Sequence, residues 1–236
     1  MKKIFTILIT IIILTSCDVL NQIPGASGTS GTGISQYEAA QGIKEALGQG
    51  LGKAVSQLNY SDGFFKSAYK ILLPPEAQKI ENTLRNLGLN SLVDKAILSI
   101  NRGAEDAAGK ATPIFIDAIR NMSLADAINL VRGGDTSATH FFREKTTSKL
   151  FAAFAPVIKS SLDNVDATKY YGDMVSRYNN FPTTIKKLNP DLASYVTLRA
   201  TDALFNLIAK EEMNIRENPV ARTTDLLKKV FGGLYK

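Results

Sequence analysis

The chain has 236 residues and a formal charge of +6; 44% of its residues are apolar, and it holds one Cys, one His and no Trp. That apolar share excludes a disordered chain, and the length suffices for one domain with a sizeable core. A single Cys excludes an intrachain disulfide and a Cys-built zinc site, and a single His excludes HExxH chemistry and a His-based metal cage. The first element along the chain is a leader. Lys2 and Lys3 precede an apolar run from Ile4 to Leu14 broken only by Thr6 and Thr10. As a helix that run spans about 16 Å, whereas a bilayer core of about 30 Å needs roughly twenty residues. It reads as the h-region of a signal peptide, not as a membrane span.

The leader ends in Leu14-Thr15-Ser16-Cys17, which resembles the lipobox of bacterial lipoproteins. The resemblance implies that residues 1–16 are removed and that Cys17 becomes an acylated N-terminus. Several acyl chains on one Cys give stable anchoring, since each buried methylene adds about 0.8 kcal/mol. The alternative is an ordinary secretory signal with an incidental Cys. Residues 17–34 follow as a flexible tether rich in Gly, Ser and Thr, with a mean reach of roughly 20–25 Å. Loss of residues 1–16 removes two Lys and no acid, which lowers the charge from +6 to +4. With no Lys/Arg block and no aromatic interleaving, nucleic acid is not an expected partner. The expected location is the bacterial cell envelope, lipid-anchored on the periplasmic side of the outer membrane. Asp18, whose sorting rule differs between lineages, does not itself choose the membrane.

Residues 35–236 read as one all-α, multi-helix, bundle-like domain of about nine helices. Ile43, Leu47, Leu51, Val55 and Leu58 form one helical face over about 36–58. Gly42, Gly48, Gly50 and Gly52 weaken that helix and are expected to admit a close neighbour. A connector follows over 59–73, with room for a short hairpin near 60–72. Pro74-Pro75 opens a second helix that ends at Gly88. Asn90 or Ser91 caps a third, and Thr112-Pro113 starts a fourth. Ser123 and Asp126 form a capping box for a fifth that stops at Gly133. Asp135 or Thr136 caps a long sixth helix, kinked at Pro156. A seventh covers about 168–180, an eighth starts at Asn189-Pro190, and a short last one follows Thr223.

Certain segments occur here in a recognisable order: Gln41 to Leu47, Asn101-Arg102-Gly103-Ala104-Glu105, Gly133-Gly134-Asp135 with Ala138-Thr139, Ile215 to Pro219, and Thr223 to Leu227. Together they resemble the bacterial family known as domain of unknown function 4197, over about residues 36–232. The resemblance implies a secreted or lipid-anchored protein and brings no activity with it. Two positions depart from its pattern: Gly103 stands where Ala is expected and Phe141 where Tyr is expected.

Residues 48–54, Gly-Gln-Gly-Leu-Gly-Lys-Ala, imitate a phosphate loop, but Leu47 stands where its first Gly is needed and Ala54 replaces the Mg-binding hydroxyl. Gly133-Gly134-Asp135-Thr136 reads as a helix stop followed by a cap. His140 lacks any nucleophile or ligand at a recognisable spacing. No cofactor and no metal are called for, and no catalytic residue is assigned. What remains is a polar set: Asn101 and Glu105 four apart on one helical face, then Asp135, Thr136, Thr139 and Arg143 at the start of the sixth helix. These could line a pocket for an anionic group, held by helix N–H groups and Arg143. Equally they could be inter-helix bonds that fix the bundle, the reading favoured here.

Three function classes follow. The first is a non-catalytic envelope lipoprotein that binds a partner protein or a small apolar or anionic ligand. The second is a carboxylate-dependent hydrolase using Glu105 with Asp126 or Asp135. The third is a structural spacer, which requires no ligand-sized pocket.

Overall fold

The computed structural model describes residues 35–232, apart from 165, 181, 183–186 and 190. The leader, Cys17, the tether and Pro190 lie outside the described residues. Within them all regular structure is helical: α1 (Gln36–Asn59), α2 (Gln78–Asn86), α3 (Asn90–Ala108), α4 (Ala111–Arg120), α5 (Leu124–Arg132), α6 (Ser137–Asp163), α7 (Ala167–Asn179), α8 (Leu192–Glu217) and α9 (Asp225–Gly232). Short 3-10 turns at Pro75–Ala77 and Pro219–Ala221 lead into α2 and follow α8.

The long helices α1, α3, α6 and α8 make the frame. α6 packs along both α3 and α8, α1 along α8 and α5, and α9 closes over α1. Their inward stripes meet in one core. It includes Leu47, Leu58, Ile100, Leu150, Phe154, Ile158, Val196 and Leu204. Phe115 of α4 stands edge-on to Phe142 of α6 and Phe205 of α8, with centroids 5.5 and 6.0 Å away. Such edge-to-face contacts add about 0.5–1.5 kcal/mol to the burial of each pair.

Local chemistry explains most helix ends. Ser35 with Glu38 and Ser123 with Asp126 form reciprocal capping boxes at the starts of α1 and α5. Gly88 ends the α2 turn with φ of 81°, a left-handed conformation that costs Gly nothing. α6 continues through Pro156 as one helix. Pro156 and Ala152, whose carbonyl loses its intrahelical partner there, are both exposed, so the missing bond falls on the solvent side of the helix.

The glycines of α1 divide. A Cβ at Gly42 would stand 2.5 Å from Val230 Cγ2, so α9 needs a Gly there, and Gly50 faces Glu211 and Ile215. Gly48 and Gly52 face open space, so half of the expected close packing is absent. On α3, a Cβ at Gly103 would lie 2.9 Å from Ser161 Cβ, and this Gly lets α3 and α6 approach closely.

The structure corrects five local expectations. Residues 60–72 form turns, not a hairpin. The first turn after Pro74 is 3-10, and the α-helix starts at Gln78. Leu89, with no side-chain cap, precedes α3, and α4 starts at Ala111, before Thr112-Pro113. Neither the Asp135 nor the Thr136 side chain caps α6; a carboxylate from another helix does so.

Candidate functional site

The expected polar set falls into separate places. Asn101 is fully buried on α3, and its amide pairs with a passing backbone as a strand neighbour would. The Ile71 N–H donates to its Oδ1 at 2.8 Å, and its Nδ2 donates to the carbonyls of Ile71 at 2.8 Å and Ile97 at 2.7 Å. One helical turn on, Glu105 Oε1 accepts the N–H groups of Phe64 and Phe65, each at 3.1 Å. Its other oxygen accepts from Arg102, which also donates to Asp62 at 2.7 Å. Lys66 and then Arg102 hold the Asp62 carboxyl below its usual range. Asn101, Arg102 and Glu105 therefore fasten the connector onto α3 and seat Phe64 in the core. That is why residues 60–72 need no second strand.

The start of α6 is a second place. α3 meets α6 near Ile158 and Ser161, roughly 30 Å along the helix from Thr139. Asn101 and Glu105 therefore do not share a site with Asp135, Thr136, Thr139 and Arg143. The N–H groups of Ala138 and Thr139 donate to Glu212 of α8, at 3.0 and 2.9 Å, and the Thr139 hydroxyl does so at 2.8 Å. The position expected to attract an anion is thus filled by the protein's own carboxylate. Arg216, one turn along α8, donates to Glu212 through Nε and Nη2, and Nη2 also reaches the Leu130 carbonyl at 2.8 Å. Arg222 caps the end of α8 by donating to the carbonyls of Ile215 and Arg216. Sequence reading missed Glu212 because its partners lie more than seventy residues away.

The other predicted residues have local roles. Arg143 pairs with Asp202 at 3.0 Å and lies 4.5 Å from the Phe205 ring centre. Asp135 and His140 are exposed, and Thr136 is half-buried. Residues 48–54 lie inside α1, without the loop that phosphate cradling requires. Among the described residues, no cluster of three or more His, Cys, Asp or Glu is arranged to hold a metal. No described helix is long and apolar enough to cross a membrane.

A cleft of about 550 Å³ opens where the Pro74-Pro75 segment, α6, α7 and the start of α8 converge. Phe151, Tyr171, Tyr195, Leu188 and Leu198 supply its apolar walls, and Glu76, Lys187 and Asp191 its charges. Its far wall is held by a second amide clasp. The Leu188 N–H donates to Asn179 Oδ1, and Asn179 Nδ2 donates to the Leu188 carbonyl, both at 2.8 Å. Tyr171 donates to the Asn189 carbonyl at 3.3 Å. Asp191 caps α8 through the Ser194 N–H, and the Ser194 hydroxyl and N–H keep its carboxyl below the usual range. Burial, and then the charge of Glu76, raise the Tyr171 phenol above its ordinary value. Burial also raises Tyr195, where Arg199 pulls down and Glu76 pushes up. Both phenols are therefore neutral donors at neutral pH. Pro74-Pro75 and the two tyrosines were the available sequence signals, but no helical period links 74, 171 and 195.

Comparison with known proteins returns one result. The family model described as "Protein of unknown function (DUF4197)" matches residues 33–232. No curated protein and no solved structure matches the chain. The match spans α1 to α9 and covers most of the chain, so the protein belongs to the DUF4197 family.

Proposed function

We propose that the protein is a lipid-anchored component of the bacterial cell envelope whose helical domain binds a ligand or partner and catalyses no reaction. Its anchor is the acylated Cys17 and its spacer the tether of residues 17–34, with the domain held near the periplasmic face of the outer membrane. The observation that carries the binding reading is the cleft lined by Phe151, Tyr171, Tyr195 and Leu198. Its volume lies within the range of small-molecule sites, and a few polar groups converge on largely apolar walls. A purely structural spacer needs no such feature. The hydrolase reading loses its residues. Glu105 is consumed by the connector and Asp126 by its capping box, and neither these nor Asp135 lines the cleft.

The test has two arms. Mass spectrometry of the N-terminal peptide finds Cys17 acylated; an unmodified thiol in the mature protein refutes the anchor. Affinity capture from native membranes, analysed for proteins and lipids, recovers a species with the wild type that is lost with Leu198→Asp. Leu198 is 47% exposed, so that substitution leaves the core intact. Equal capture by both forms refutes the cleft as the binding site.

A further inference from the structure

The charges and rings of the cleft specify more than an apolar ligand. We propose that it recognises an organic cation, an ammonium group carried on an aliphatic stem; this rests on the binding reading above. Three aromatic rings, those of Phe151, Tyr171 and Tyr195, line one cleft beside Glu76 and Asp191, with Lys187 as the cation among its described lining residues and the Arg199 guanidinium beside Tyr195. Ring faces carry negative potential, and a cation within about 6 Å of a ring centre is attracted more strongly as water is excluded. A flanking carboxylate adds to that attraction and repels an anion.

The neighbourhood already shows cations choosing rings. The Arg199 guanidinium lies 5.7 Å from the Tyr195 ring centre. Glu76 lies near enough for its charge to raise both the Tyr171 and the Tyr195 phenols. Asp191 stays ionised because Ser194 stabilises its charged form. The aliphatic stem is matched by Leu188, Leu198 and the rings of Pro74 and Pro75, which add to the apolar wall. The anionic ligand considered from the sequence belonged to the start of α6, and Glu212 occupies that place.

A matched series decides the point. n-Hexylammonium, n-hexanol and n-hexanoate share one stem and differ only in the charge of the head. Each is titrated calorimetrically into the full chain and into Glu76→Gln, with methyl glucoside as a fourth probe. Glu76 is exposed, so its substitution does not threaten the fold. The expected result is that the ammonium binds about fivefold or more tightly than the alcohol. The carboxylate binds weakest, and Glu76→Gln removes most of the preference for the ammonium. Equal binding of ammonium and alcohol overturns the inference while leaving an apolar binding module in place. Preference for hexanoate or for the glucoside overturns it in favour of another ligand class. Absence of binding by all four overturns it too, and the Leu198→Asp capture result then decides separately whether the binding reading survives.

Discussion

Glu212 and Arg216, one helical turn apart on α8, form an ion pair at 2.8 Å whose side chains are only 5% and 2% exposed. The pair binds three elements at once. The carboxylate takes the first N–H groups of α6, and the guanidinium takes the last carbonyls of α5. An ion pair this deep is justified by its additional hydrogen bonds, because desolvation otherwise cancels the attraction. Glu212→Ala leaves a buried Arg and an uncapped α6, and is expected to cost about 3–5 kcal/mol of folding free energy. Glu212→Gln keeps an acceptor for one N–H and costs less. Urea denaturation of the two variants measures both; equal and small losses would show that the pair is dispensable.

Asn101 predicts a more local effect. Asn101→Ala removes both bonds to Ile71 and strands two backbone groups in the core, at an expected cost of about 2–3 kcal/mol. Hydrogen exchange at the Ile71 amide should quicken more than at amides in the centre of α8. Uniform quickening across the domain would mean that the connector is not separately fastened.

The glycines of α1 predict opposite signs on one helix. Gly42→Ala drives a methyl group into Val230, a buried branched side chain that cannot swing aside, and is expected to destabilise by about 1–3 kcal/mol. Gly48→Ala and Gly52→Ala meet nothing within 4 Å and gain helix propensity, so each should stabilise by about 0.5–1 kcal/mol. Thermal melts of the three variants check the split. Val230→Ala should relieve part of the Gly42→Ala loss.

Acid should loosen the seam between α1 and α9. A hydrogen bond from Lys229, then bonds from Ser35, pull the Glu38 carboxyl from its ordinary 4.5 down to about 2. Its folded value lies below its unfolded one. The contribution is therefore complete above about pH 4.5 and is lost as pH falls through about 2. The pair is exposed, so salt weakens it. Following the Glu38 carboxyl by NMR should give a value near 2 in the wild type and a higher one in Lys229→Met.

Much of what depends on short spacing was readable from the chain, though the starts of α2, α3 and α4 were not. The stripe of Ile43, Leu47, Leu51, Val55 and Leu58 became the buried face of α1, and Ser123 with Asp126 became the expected box. The all-helical class followed from the same periods. Asn101 and Glu105 were visible as a polar pair four apart on one helical face, but their partners were not. Those partners are backbone groups of Phe64, Phe65 and Ile71, and a backbone group carries no sequence label. The cap of α6 failed for a related reason. Asp135 and Thr136 have the right chemistry, but Glu212 arrives from another helix with two oxygens and a buried Arg behind it. The cleft joins four segments, and no helical period links the residues that line it.

The seam between the first and last helices also dictates when this domain can exist. α1 packs against α8 and α9, and Lys229 reaches Glu38 across 191 residues of sequence. A growing chain therefore offers α1 only the contacts of α3, α4 and α5 until α8 and α9 have been made. The node at Glu212 forms just as late, so the start of α6 gains its carboxylate cap only once α8 has been made. A chain cut short before residue 212 lacks the Glu212–Arg216 pair and all of α9, and should be more readily proteolysed than the whole domain. The C-terminal helices thus act as the latch that closes the described domain.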